Sequence, residues 1–121
     1  MSDYPTVTIL GACPSKSNCY KVARRDGRGT LVKTDALIRY EQSFFMQNPL
    51  RGIAIARRFC FTVDVYYSSD RPDLDNALKI LLDCLQLCRT ITNDRLCAEI
   101  HARKFIDKTN PRVVFSLSTL L

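Results

Sequence analysis

Acidic side chains are concentrated in one short stretch of an otherwise basic chain. Asp70, Asp73 and Asp75 lie within six consecutive positions, and Asp94 follows Asp75 by nineteen residues. Neighbouring carboxylates repel one another unless a cation neutralises them, and Mg²⁺ binds carboxylate, water and phosphate oxygens. Lys79 falls one helical turn after Asp75, which places both side chains on one helix face. This set predicts phosphodiester hydrolysis by metal-activated water, with Lys79 stabilising the charge that develops on the phosphate.

Each of these residues also has an ordinary structural explanation. Asp73 precedes a predicted helix and could be its N-cap. Asp75 and Lys79 have the i,i+4 spacing and the order of a stabilising ion pair. Either role contributes about 1 kcal/mol or less to helix stability, and Asp70 suits a cap or a turn. The sequence alone leaves both interpretations open.

The composition limits the class of protein. The chain has 121 residues, with 18 Lys+Arg against 12 Asp+Glu, a formal net charge of +6 and 46% hydrophobic residues. These values are typical of one globular domain spanning residues 1–121. No apolar run approaches the length of a membrane span, and the N-terminus lacks the pattern of a secretory signal. We expect a single cytoplasmic domain whose positive charge favours a polyanion such as nucleic acid.

Six cysteines raise the question of a disulfide framework or a zinc site. They are Cys13, Cys19, Cys60, Cys84, Cys88 and Cys97, with no CxxC pair among them. Cys84 and Cys88, at i,i+4, could share a ligand face, but reduced thiols that fill small apolar spaces fit the pattern better. His101, the one histidine, alternates with polar residues and is predicted to be a surface residue rather than a ligand.

Strands are predicted wherever apolar and polar residues alternate. These segments are 4–10, 20–23, 30–33, 59–67, 96–103 and 112–119. Asp26-Gly27, between the second and third segments, is a typical hairpin turn because glycine accepts a positive φ. Asp107–Pro111 is a further turn, and the last two strands are predicted to form a hairpin.

Two helices are predicted between these strands. The first begins at Thr34 or Asp35 and runs to about Gln47, where Asn48-Pro49 ends it. The second begins after Asp73, and its predicted core face consists of Leu74, Leu78, Leu81, Leu85 and Cys88, with Ala77 and Leu82 beside them. The order of elements predicts an α+β domain, with two main helices packed on one face of a mixed, largely antiparallel sheet.

The acidic motif and its surroundings resemble a known family over nearly the whole chain. The residues that carry the resemblance are Asp73-Leu74-Asp75-Asn76-x-x-Lys79, Thr92-Asn93-Asp94 and the loop Pro14-Ser15-x-Ser17-Asn18. They resemble the RusA-type Holliday junction resolvases, and the order of elements agrees. The resemblance implies a homodimeric, Mg²⁺-dependent endonuclease, with Mn²⁺ as an alternative ion. It also implies paired nicks at four-way DNA junctions, in the recombination and repair of a bacterium or a prophage.

The resemblance also assigns roles to individual residues. Asp73, Asp75 and Asp94 would be the metal-binding carboxylates, and Lys79 the catalytic lysine. The candidate DNA contacts are Asn18, Arg24, Arg25, Arg28, Arg71 and Asn76. For the arginines of the hairpin tip, solvated surface charge is the alternative. The chain departs from the family pattern at Arg71-Pro72, where an arginine-rich run is reduced, and at Ala12-Cys13, where a further proline is frequent.

The spacing of the acids also bears on whether two subunits share one site. A helix from Asp75 to Cys88 is ~20 Å long, and the six steps from Cys88 to Asp94 extend ~20 Å at most. A site within one chain therefore requires the connection to run straight back along the helix. A two-fold dimer with antiparallel helices would instead bring Asp94 to the partner subunit's Asp73 and Asp75. Both arrangements remain open.

Two other functions also fit the sequence. One is a non-catalytic junction- or duplex-binding module of a mobile element, in which the acids are only a cap and an ion pair. The other is a small structural or interaction protein with incidental positive charge. Mg²⁺-dependent cutting of four-way DNA separates the nuclease from both.

Overall fold

The helices and strands follow one another along the chain in the predicted order. The computed structural model describes residues 3–121, except for the side chains of Lys16 and Arg25. Its elements are β1 (Val7–Leu10), β2 (Tyr20–Arg25), β3 (Arg28–Lys33), α1 (Asp35–Gln47), β4 (Phe59–Tyr67), α2 (Leu74–Leu87), β5 (Cys97–Ile106) and β6 (Arg112–Thr119). Neither described helix has the length and apolar character needed to cross a membrane.

Four strands form the main sheet, in the order β1-β6-β4-β5. β6 pairs antiparallel with both β1 and β4, whereas β4 and β5 run parallel. The helices pack on the face that carries Phe61, Val63 and Val65, and they share one hydrophobic core with it. The prediction of an α+β fold with a mixed, largely antiparallel sheet is confirmed.

The predicted hairpin of the last two strands is wrong, because β4 lies between β5 and β6. α2 connects β4 to β5 as a crossover, and a crossover of this kind joins parallel neighbours. The chain then passes the end of β4, where the Asp107 amide donates to the Tyr67 carbonyl at 2.7 Å. The same turn residues occur in a hairpin and in a loop that passes a neighbouring strand, so the sequence does not distinguish the two.

The predicted hairpin around Asp26-Gly27 is confirmed. β2 and β3 form a separate antiparallel ribbon, and Arg24 lies opposite Gly29. Asp26 and Gly27 have φ values of 51° and 76°, the left-handed conformation that a tight hairpin turn requires. The tip of this ribbon exposes Arg24 and Arg28.

α1 forms as predicted from its cap and its apolar stripe. The Thr34 hydroxyl caps the helix by accepting from the Leu37 amide at 3.2 Å. Leu37, Tyr40 and Phe44 are buried. Phe44 stacks on Phe115 of β6 with ring centroids 5.9 Å apart, which fixes α1 on the sheet.

α2 buries most of the predicted face, because Leu81, Leu85 and Cys88 are buried, as is Ala77 beside them. Leu74 and Leu78, also assigned to the core from their spacing, are half-buried and pack against it. The prediction missed Ile80 and Cys84, which are buried as well. α2 packs against α1 as well as against the sheet, so more of its surface is enclosed than one apolar stripe indicates.

The prediction that the cysteines fill apolar spaces agrees with their burial. All six are free, and every one except the half-buried Cys97 is buried. Burial raises the pKa of Cys13 to about 12. Burial also raises the pKa of Cys84, which lies in the core rather than on a ligand face.

A buried hydrogen-bond network anchors the chain where it leaves α2. The Asn48 side chain, at the end of α1, donates to the Thr90 hydroxyl at 2.9 Å and accepts from the Leu50 amide at 3.0 Å. The Thr90 hydroxyl in turn donates to the Leu50 carbonyl at 2.9 Å. Both polar side chains are fully buried, and buried networks of this kind are costly to break.

We expect Asn48→Ala to lower the free energy of unfolding by about 2–3 kcal/mol, because the Thr90 hydroxyl and the Leu50 amide lose buried partners. Urea unfolding gives the value. Gln42→Ala, at an exposed position of α1, is the matched control and is expected to change stability by about 0.5 kcal/mol or less. Equal losses in the two variants would contradict this role of the network.

Candidate active site

Asp73 occupies the N-cap position of α2 but does not cap the helix. Its backbone is extended, and its side chain makes no cap hydrogen bond. By contrast, Thr34 and Asn93 at other N-cap positions do accept such bonds. The ordinary explanation of Asp73 as a capping side chain therefore fails, and its exposed carboxylate is available for another role.

Tyr67, at the end of β4, supports the start of α2. Its hydroxyl donates to the Asp73 carbonyl at 3.3 Å. Burial raises the pKa of Tyr67, and Cys13, Asp73 and Asp75 raise it further. Tyr67 is therefore a neutral donor at physiological pH, and it joins the strand end to the acidic segment.

Lys79 pairs with acids other than Asp75. Its ammonium lies 3.2 Å from Asp83 and 3.7 Å from Asp94. The predicted Asp75–Lys79 ion pair does not form; Asp83, one turn further along α2, takes that place. The hydrogen bond and charge of Asp83, and then the charge of Asp94, raise the pKa of Lys79. Lys79 therefore carries a positive charge at neutral pH.

Asp94 reaches Lys79 because the chain runs back along α2. Ile91 pairs with Ile55 in a short parallel bridge, and the Thr92 amide donates to the Ile55 carbonyl at 3.0 Å. The Asp94 amide then donates to the Gln86 side chain at 2.8 Å. This is the return path that a site within one chain requires.

The three predicted metal ligands do not form a closed cluster. Asp75 is ~6 Å before Lys79 along the helix axis, and Asp94 contacts the Lys79 ammonium. Within the described part of the chain, Asp73, Asp75 and Asp94 are not a set of carboxylates within 4.8 Å of one another. Their donor atoms are nevertheless all carboxylate oxygens, as Mg²⁺ prefers, and so the residues fit this ion.

An open groove of about 590 Å³ lies beside Asp73. It is lined by Ser15, Ser17, Arg71, Pro72, Asp73 and Asn76. Two predicted DNA contacts, Arg71 and Asn76, therefore lie next to a predicted metal ligand. Ser15 and Ser17 were not predicted as site residues, although the resemblance in the N-terminal loop includes both.

The other predicted DNA contacts are spread over the surface. Asn18 is exposed before β2, where its carbonyl accepts from the Thr34 hydroxyl. Arg24 and Arg28 are exposed at the ribbon tip, and the Arg25 side chain lies outside the described part of the chain. Asp83 was also missed as a partner of Lys79, although its i+4 spacing from Lys79 was available in the sequence.

We expect Asp73→Ala to change the free energy of unfolding by about 0.5 kcal/mol or less, because no cap bond is lost. Thr34→Ala removes a real cap and is expected to cost about 1–2 kcal/mol. Urea unfolding of both variants measures the contrast. A loss in Asp73→Ala as large as in Thr34→Ala would show that Asp73 is a structural cap.

Comparison with known proteins identifies the family. A family model described as Endodeoxyribonuclease RusA matches residues 21–118. This range includes all three predicted metal ligands and Lys79, whereas Ser15 and Ser17 lie before it. A search of curated proteins gave no match. Because the family model covers most of the chain, this protein belongs to the RusA family of endodeoxyribonucleases.

Proposed function

We propose that the chain is a single-domain, Mg²⁺-dependent endonuclease that resolves four-way DNA junctions by paired nicks, in recombination and repair. The observation that carries the proposal is the contact of 3.7 Å between Lys79 and Asp94, on the helix whose first turn contains Asp75. In an endodeoxyribonuclease, an ammonium beside exposed carboxylates suits phosphodiester hydrolysis. A symmetric homodimer would provide two such sites for two incisions.

Asp73, Asp75 and Asp94 would hold the ion. When bound, Mg²⁺ lowers the pKa of a water and polarises a phosphate oxygen. The Asp73 side chain is exposed and makes no cap hydrogen bond. Asp75 lies in the first turn of α2, and Asp94 begins the short 3₁₀ turn, Asp94–Leu96, that precedes β5. The three acids therefore come from two segments, and the return of the chain brings the second of them to Lys79 on α2.

Lys79 would supply a positive charge that does not change during the reaction. Asp83 accepts a hydrogen bond from its ammonium at 3.2 Å and so restrains the side chain. The raised pKa of Lys79 keeps the ammonium protonated across the neutral range. A protonated donor in this place would stabilise the negative charge on a phosphate oxygen in the transition state.

The groove beside Asp73 would take the DNA backbone. The hydroxyls of Ser15 and Ser17 and the guanidinium of Arg71 line it, and such groups are common phosphate contacts. Arg24 and Arg28, on the projecting ribbon, would extend the contact to a second region of the junction. Because these contacts are electrostatic, we expect the affinity for DNA to fall as salt increases.

Two observations favour catalysis over a non-catalytic binding module. That alternative explains the acids as a helix cap and an ion pair. Asp73 makes no cap hydrogen bond, and Lys79 pairs with Asp83 and Asp94 instead of Asp75. Neither structural role accounts for Asp73 and Asp75.

We expect wild-type protein to cut synthetic four-way DNA only when Mg²⁺ is present. Asp75→Asn is expected to slow cleavage by about 100-fold or more, since a metal ligand contributes several kcal/mol to the transition state, while junction binding persists. Single-turnover cleavage and gel-shift assays measure the two properties.

Asp70→Asn is the matched control, because this neighbouring acid lies outside the proposed ligand set and pairs with Lys104 at 3.2 Å. It is expected to cleave at nearly the wild-type rate. Wild-type protein that binds the junction but does not cut it, whichever divalent ion is added, would contradict the nuclease and favour a binding module. Cleavage unaffected by Asp75→Asn would contradict the ligand assignment.

We further propose that each site is built within one chain, because Asp94 faces Lys79 of its own chain. The test uses heterodimers purified by two affinity tags. An Asp75→Asn subunit paired with an Asp94→Asn subunit has no intact site in this arrangement and is expected to be inactive. A wild-type subunit paired with the Asp75→Asn/Asp94→Asn double variant keeps one site and is expected to nick one strand.

A site shared across the dimer gives the opposite pair of results. The two single variants would then complement each other at one site, and the wild-type/double-variant pair would be inactive. Light scattering reports the oligomeric state of each sample. A monomeric protein that cuts junctions would contradict the homodimer while agreeing with a site in one chain.

A further inference from the structure

A second group of metal-binding side chains lies on the face of the main sheet opposite the helices. Cys60 on β4 and Glu99 and His101 on β5 offer ligand atoms that all lie within 4.8 Å of one another. They alternate with core residues such as Phe61, so they point away from α1 and α2. His101 is exposed, as predicted, but its place beside Cys60 and Glu99 depends on the pairing of β4 with β5, which is not visible in the sequence.

A β-bulge brings the three side chains together. Phe59 lies opposite Cys97, but the next residue, Cys60, lies opposite Glu99, so β5 contains one additional residue at Ala98. Beyond the bulge, the pairing is regular. Without this extra residue Glu99 would face the other side of the sheet. Bulges commonly redirect side chains beside functional sites.

The cluster lies in a polar depression of about 540 Å³. Cys60 is only 7% exposed, whereas Glu99 and His101 are exposed at its rim. The hydroxyls of Thr62 and Ser116 are among the groups that line it. Among the described ion pairs, none involves Glu99. A thiol, an imidazole and a carboxylate without a cationic partner therefore converge on one concave surface.

We propose that Cys60, Glu99 and His101 bind Zn²⁺. Thiolate, imidazole and carboxylate are the three side-chain ligands that Zn²⁺ takes in proteins, and three of them leave a fourth position for water. Mg²⁺ prefers oxygen alone, so this site differs in chemistry from the proposed site of Asp73, Asp75 and Asp94. Binding displaces the Cys60 thiol proton into solvent and forms the Zn–S bond.

Bound Zn²⁺ would connect β4 to β5 close to the segment that runs back along α2 and carries Asp94. Glu99 is five residues after Asp94, and Cys97 is the first residue of β5. Zn²⁺ held by both strands would restrain the start of β5. The inference does not depend on the proposed nuclease function, because it rests on side chains of the opposite face.

The test is a titration of reduced, full-length protein with Co²⁺, which takes the place of Zn²⁺ and gives visible absorption. The Asp75→Asn/Asp94→Asn variant is used as the background, so that the oxygen site does not contribute. We expect one equivalent of Co²⁺ to produce tetrahedral d–d bands and a thiolate-to-Co²⁺ charge-transfer band. Zn²⁺ is expected to displace the ion, and excess Mg²⁺ is not.

Cys60→Ser is expected to abolish the charge-transfer band and to weaken binding by about tenfold or more, and His101→Gln to weaken binding similarly. Cys97→Ser is the matched control, because this nearby half-buried thiol is outside the cluster, and it is expected to keep the band. Circular dichroism checks that each variant is folded.

A second readout is the melting temperature, which Zn²⁺ is expected to raise in the background protein but not in His101→Gln. A charge-transfer band that survives Cys60→Ser, or that Cys97→Ser abolishes, would overturn the assignment. Absence of the band in folded background protein with one equivalent of Co²⁺ would also overturn it. None of these readouts requires junction cleavage, so failure here and failure of the nuclease proposal are distinguishable.

Discussion

The candidate active site depends on the path of the chain after α2, which runs back along the helix to Asp94. Asn48 holds Thr90 through buried hydrogen bonds, and Gln86 holds the Asp94 amide. A different path from α2 to β5 would leave Asp94 far from Lys79, since α2 is itself ~20 Å long. The candidate site therefore depends on the loop after α2 as much as on α2 itself, which carries Asp75 and Lys79.

The two candidate metal sites lie on opposite faces of the main sheet. On its helix side, Tyr67 supports Asp73, and the half-buried carboxylates of Asp83 and Asp94 lie beside the Lys79 ammonium. On its other side, the bulge at Ala98 places Glu99 opposite Cys60. The net charge of +6 combines two kinds of group with different roles. The basic side chains would hold DNA, while the local acidic groups would bind metal. Strand alternation keeps these groups apart within one small domain.

Features set by local sequence were predicted well, and features set by long-range pairing were not. The Thr34 cap, the apolar stripe of α1 and the Asp26-Gly27 turn each depend on a few neighbouring residues, and all three are confirmed. The hairpin of β5 with β6 failed because strand order depends on the crossover through α2. The predicted face of α2 is largely buried, but Ile80 and Cys84 were missed, because α2 also packs against α1. For the active site, the sequence indicated Lys79 and Asp94, but not that they touch.

The most direct test of the site is a Mg²⁺ titration of protein with ¹³C-labelled aspartate, observed at the side-chain carboxyl carbons. If one ion is held within each chain, the resonances of Asp73, Asp75 and Asp94 are expected to shift together along one binding curve. Asp70 serves as the internal reference and is expected to respond weakly. An Asp94 resonance that stays unchanged while Asp73 and Asp75 saturate would contradict the account, because the return of the chain would then have no part in binding the metal.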